Sequence, residues 1–126
     1  MSFPTGAKAM NFVVTKDRAR AIAFYRDVLG FTLTGEDPFA AVFDLNGNML
    51  RISTVKDHEP AMHTVLGWAV PDIVAAVKTL TAKGVVFNRY PGFDHDELGI
   101  WQAPGSTDKV AWFLDPDGNN LSLAQF

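Results

Sequence analysis

Three histidines are the first side chains in this sequence that could move a proton or hold a metal ion. His58 and His63 share the stretch DHEPAMHTV with Glu59, and His95 sits in FDHDELG beside Asp94, Asp96 and Glu97. No pair of them has the i, i+4 spacing of a helix face or the i, i+2 spacing of a strand face, so none is aimed with another at one point. His63 and His95 are still placed where either could act as a general base or a donor. The alternative is a solvated acidic loop and surface imidazoles. Other reactive groups are scarce. The chain has no cysteine, which removes disulfides, thiol nucleophiles and thiolate metal sites. No GxSxG nucleophile pattern occurs.

The elements that must position these groups come in two sets. AMNFVVTKD (9–17) alternates as a strand and ends at Asp17, a helix N-cap for RARAIAFYRDVLG, which Gly30 closes. FTLTGE, FAAVFDL and NMLRIST follow as strands, the last two joined by DLNGN, whose Asn-Gly favours positive φ. The second half repeats the order. TVLGWAVPD (64–72) ends at Asp72, IVAAVKTLTAKG is a helix closed by Gly84, and VVFN is a strand. KVAWFLD and NLSLAQF then form a hairpin around DPDGN. Asp17 and Asp72 lie 55 positions apart and Gly47 and Gly118 lie 71 apart, so the second copy carries 16 more residues, near RYPGFDHDELGIWQAP (89–104). Within that insert GIWQA is a candidate strand that pairs with KVAWFLD across PGSTD.

The order β-α-β-β-β, written twice, predicts an α+β chain with mixed sheets. We read residues 1–126 as one domain: a first module over about 7–56, a linker at 57–62 and a second module over 63–126. The length of 126 residues and a hydrophobic content of 48% suit a single globular core. The net charge is −3 and no cluster of Lys or Arg stands out, so a nucleic-acid partner is not expected. No apolar run is long enough for a membrane helix and the N-terminus has no apolar leader, so the expected location is the cytoplasm.

AIAFYRDVLGF (21–31) and VAWFLDPDGNNLSL (110–123) resemble the vicinal oxygen chelate superfamily, the group of glyoxalase I, bleomycin-resistance proteins and extradiol dioxygenases. The resemblance implies paired βαβββ modules, a cup-shaped cavity and a homodimer. In metal-dependent members four inward positions supply His, Gln or Glu ligands. The matching residues here are Met10, Arg51, Val65 and Ser122, a set that lacks those donors. The resemblance with these departures implies a protein with no metal and no cofactor that binds a small aromatic or acidic molecule.

Counting alternately from those positions puts Met10, Phe12, Val14, Met49, Arg51 and Ser53 on the cup side of the first module. Val65, Gly67, Ala69, Asn120, Ser122, Ala124 and Phe126 take that side of the second. Trp68 falls on the helix-covered face with Val13, Leu50, Ile52, Leu66, Leu121 and Leu123. Phase also turns Trp112 toward the cup, and Trp101 on the insert lies over the opening. The expected ligand-binding residues are therefore Met10, Phe12, Arg51, Gly67, Ala69, Trp101, Trp112 and Ser122. Gly67 and Ala69 either leave room for a ligand or accommodate neighbours such as Phe12 or Phe126. Arg51 either clamps an anion through parallel hydrogen bonds or pairs with a carboxylate of its own chain. Three functions compete: a metal-free binder, an enzyme using His63, His95, Glu97, Tyr90 or Asp94 or a shifted metal site, and a regulatory subunit.

Overall fold

A computed structural model describes residues 2–126. Their contacts fall into two compact units that divide between Lys56 and Asp57. The linker at 57–62 therefore belongs with the second unit.

The first unit runs β1 (Met10–Thr15), α1 (Arg18–Ala23), β2 (Thr32–Glu36), β3 (Ala40–Asp44) and β4 (Met49–Thr54). Its sheet has the order β1-β4-β3-β2, with β1 parallel to β4 and the other neighbours antiparallel. Asp17 caps α1 by accepting from the Arg20 N–H at 3.1 Å. The helix expected over 18–30 does not stay α-helical. After Ala23 it widens into a π-helical turn, Phe24–Val28, in which the Leu29 N–H reaches back to the Phe24 carbonyl. This turn carries Tyr25, fully buried, with its ring edge-on to Phe24 and against Phe43. α1 packs on β3 and β4, over Leu50 and Ile52.

The second unit runs β5 (Leu66–Ala69), α2 (Ile73–Ala82), β6 (Phe87–Asn88), β7 (Trp101–Gln102), β8 (Lys109–Leu114) and β9 (Asn120–Gln125). The sheet order is β5-β9-β8-β6, β5 is parallel to β9, and β7 pairs with β8. The extra strand expected in GIWQA is thus present, with Trp101 opposite Val110. Asp72 caps α2 through the Ala75 N–H. Ile73 and Val77 of α2 are buried, and the helix packs on β8 and β9. Phe113, Leu121 and Leu123 are buried on that side of the sheet, and Trp68 stacks on Phe113 with centroids 6.5 Å apart. The strand phase read from the sequence holds in both sheets: Leu50, Ile52, Leu66, Leu121 and Leu123 are buried, while Met10, Phe12 and Leu114 are exposed.

The two hairpins differ in their turns. In the first, Leu45 and Asn48 exchange backbone hydrogen bonds around Asn46 and Gly47, whose φ angles are 55° and 103°. Two successive positive-φ residues match the twist of the flanking strands. In the second, three residues intervene, the Gly118 N–H returns to the Asp115 carbonyl, and Gly118 takes φ 80°. The buried Asp115 carboxylate accepts from the Asp117 and Asn119 N–H groups and from the Asn119 side chain. A methyl group at Gly118 would lie 2.9 Å from Cγ of Pro60, whereas nothing lies within 4 Å of one at Gly47.

Gly47→Ala is therefore expected to cost about 1 kcal/mol from backbone strain alone. Gly118→Ala should cost at least about 2 kcal/mol, because strain is joined by the collision with Pro60. Urea unfolding of the two variants checks the order.

Candidate functional site

Between β6 and β7 the chain has no long element, so its polar groups must find partners locally. His95 supplies the main tie. Its Nε2 accepts the Tyr90 N–H at 3.0 Å, which leaves Nδ1 to donate to the Gly99 carbonyl at 2.9 Å. The Asp96 carboxylate accepts from the Leu98 and Ile100 N–H groups. Arg89 donates to the Asp96 and Glu97 carbonyls. The segment is thereby folded back on itself. With both ring nitrogens engaged, His95 is a structural tie rather than a free base or metal donor.

The fold-back gathers rings. Phe93 stacks on Trp101 at 5.0 Å and lies 5.8 Å from Trp112, while Tyr90 meets Trp112 edge-on at 5.4 Å. Trp101 and Trp112 are 5.9 Å apart, so these two expected site residues do come together. Beside them is a cavity of about 280 Å³, bordered by Met62, His63, Thr64, Tyr90, Pro91, Phe93, Trp112 and Asn120. Asn120 is buried; its Nδ2 donates to the Met62 carbonyl at 3.2 Å and its covered Oδ1 has no partner.

Cross-strand pairing sets Gly67 opposite Ser122 and Ser122 opposite Trp112, so the three share one face of the sheet. A methyl group at Gly67 would lie 2.8 Å from Ser122 Oγ. The neighbour that requires a glycine is therefore Ser122, not Phe12 or Phe126. Ala69 is exposed, and its strand partner is Ala124.

The remaining expected residues lie in the first unit. Met10 and Met49 are strand partners and border a larger hollow of about 700 Å³ with Lys8, Val42 and Asp44. Phe43 is the one ring on its border, so this hollow offers no aromatic surface like that of the second unit. Phe12 is 54% exposed and sits opposite Arg51. Of the two readings of Arg51, the pair with a carboxylate is present: Nη2 donates to Asp37 Oδ2 at 2.7 Å. Asp37 Oδ1 accepts from the Phe39 and Ala40 N–H groups, and its carbonyl accepts from Arg18 at 2.8 Å. Two guanidinium groups thus fix the β2–β3 turn. The Arg51 hydrogen bond, with those two backbone donors, holds the Asp37 carboxyl down at a pKa of about 2.

The four positions that the resemblance equates with metal ligands do not fit a cation. Met10 offers a thioether, Val65 an alkyl group and Ser122 a neutral hydroxyl, and Arg51 is a permanent cation already bound to Asp37. Among the described residues no three His, Asp or Glu side chains gather as a metal site.

Sequence phase places Trp112 and Asn120, but Phe93 and the structural part of His95 escape it. Both lie in an irregular segment where no periodicity operates. The available signal is composition: TyrPro–GlyPhe followed by His95, an aromatic cluster inside an acidic loop.

The sequence pattern described as the Glyoxalase/Bleomycin resistance protein/Dioxygenase superfamily matches residues 8–123. No curated protein matches the chain. Several solved structures share its fold. The glyoxalase family protein from Enterococcus faecalis is 16% identical, with a TM-score of 0.74 over 95% of this chain and 98% of that one. The glyoxalase/bleomycin resistance protein/dioxygenase from Alicyclobacillus acidocaldarius is 19% identical, with a TM-score of 0.72 over 96% and 92%. Lactoylglutathione lyase from Agrobacterium tumefaciens is 17% identical, with a TM-score of 0.72 over 98% and 96%. At these identities the likeness is one of fold, α+β and glyoxalase-like.

Two outcomes are expected. His95→Ala should weaken the near-ultraviolet circular dichroism of the ring cluster while the far-ultraviolet signal stays, since the ties to Tyr90 and Gly99 are lost but the sheets are not. The Asp37 pair should stabilise the fold fully above pH of about 4, the ordinary carboxyl value, and lose that effect as pH falls toward 2, because the folded-state pKa is the depressed one. Melting temperatures from pH 6 to 2 should therefore fall less steeply for Asp37→Asn than for the native chain.

Proposed function

Because the chain belongs to the glyoxalase/bleomycin resistance protein/dioxygenase superfamily, we propose that it is a metal-free binding protein that holds a small aromatic molecule in its second unit. Membership alone does not choose this function, since one fold hosts many chemistries. The observation that carries the reading is the cavity bordered by Tyr90, Phe93 and Trp112. A hollow of about 280 Å³ lies just below the ~300–1,000 Å³ usual for small-molecule sites, so it suits a compact ligand. Trp101 backs Phe93 and keeps its ring in place. Ser122 and Gly67 continue the same sheet face as Trp112 and extend the surface with small groups.

The aromatic half of the expected ligand chemistry is favoured over the acidic half. Arg51, the one candidate anchor for a carboxylate, is occupied by Asp37. Absence of a metal in the function is supported by the donor chemistry at Met10, Arg51, Val65 and Ser122. A homodimer is part of the reading. The exposed Met10, Phe12 and Leu114 give an apolar surface that a second copy would cover.

Calorimetry and thermal shift with phenol, indole, benzoate and N,N,N-trimethylanilinium test the reading. At least one should bind and raise the melting temperature by mass action. Trp112→Ala should weaken that binding about tenfold, the order expected for losing an aromatic wall. EDTA should change nothing. Stoichiometric zinc, nickel or iron in the purified protein would overturn the metal-free part.

A further inference from the structure

Resting on the binding reading above, we propose that the cavity of the second unit selects an organic cation, a quaternary or protonated ammonium on a small apolar body. The geometry of the rings comes first. Tyr90, Phe93 and Trp112 have centroids 5.4, 5.8 and 6.2 Å apart, pairwise. Their planes are inclined to one another by 84°, 41° and 70°, so they do not form one flat slab for stacking. A cation resting on such a triangle lies within the ~6 Å reach of all three π systems at once. A flat neutral ring could face only one of them.

The charge around the cavity points the same way. Neither a lysine nor an arginine borders it among the described residues. The nearest arginine in sequence, Arg89, has its guanidinium held on the Asp96 and Glu97 carbonyls. An anion entering the cavity would thus lose water without gaining a permanent positive partner. Asn120 adds the opposite polarity. Its side chain is 94% buried, and its Oδ1 is covered and unpaired, so a negative partial charge in the wall is left uncompensated. In a partly desolvated site that dipole favours a positive guest. Asp94 and the other acidic groups of the insert add to the same field.

The test uses the full chain and a charge series of similar size, read by calorimetry: N,N,N-trimethylanilinium, phenol and benzoate. Trimethylanilinium should bind about tenfold more tightly than phenol, with benzoate weakest. Phe93→Leu, which keeps apolar bulk but removes a π face, should weaken trimethylanilinium by several-fold and phenol by less than twofold. Phenol or benzoate binding as tightly as trimethylanilinium would overturn the cation selectivity while leaving the aromatic binding site standing. Failure of all three probes, and of indole, to bind would remove both.

Discussion

The imidazole of His95 holds the candidate site together. It spans the insert, receiving the Tyr90 N–H on one nitrogen and giving its own proton to Gly99 on the other. These bonds join the two ends of a segment that has no ladder of its own. Without them the 89–100 segment would have to satisfy its backbone with water, and Tyr90 and Phe93 would have no reason to meet Trp112. The sheet provides a rigid wall, and the tie brings a second wall against it.

The division of labour follows from what each kind of structure can do. β8 and β9 fix Trp112, Ser122 and Asn120 by register, and α2 covers the opposite face. Strands place side chains at fixed spacing but on one surface only. A concave site needs groups from another direction, and here the irregular segment supplies them. The same logic operates in the first unit on a smaller scale. There Asp37, bound by Arg51, Arg18 and two backbone N–H groups, sets the β2–β3 turn.

How much of this was legible in the sequence depends on the physical rule involved. Strand phase is a two-residue repeat, so Trp68 with Phe113 on the covered face and Trp112 on the open one follow directly from alternation. Helix caps at Asp17 and Asp72 and the Asn-Gly turn are local chemistry and are equally readable. The π-helical turn at Phe24–Val28 is not, because one extra residue in a helix leaves the apolar spacing nearly unchanged. The partner of Arg51 is also hidden: Asp37 is fourteen positions away across a turn whose conformation the pattern does not specify. Gly67 shows a third case. Its smallness is visible, but the hydroxyl that demands it comes from a strand 55 positions later. The ring cluster depends on a loop tied through backbone atoms, where residue type says little about direction.

The unequal turns of the two hairpins have a consequence for how freely the chain can change. The Asn46-Gly47 turn touches nothing beyond itself, so a foreign peptide spliced there would meet only solvent. The Gly118 turn is seated against Pro60, and the neighbouring Asn120 holds Met62. A duplicated half that began with two equivalent tips has therefore become asymmetric in its freedom. One tip is open to insertion, and the other is committed to the segment that leads into its own module.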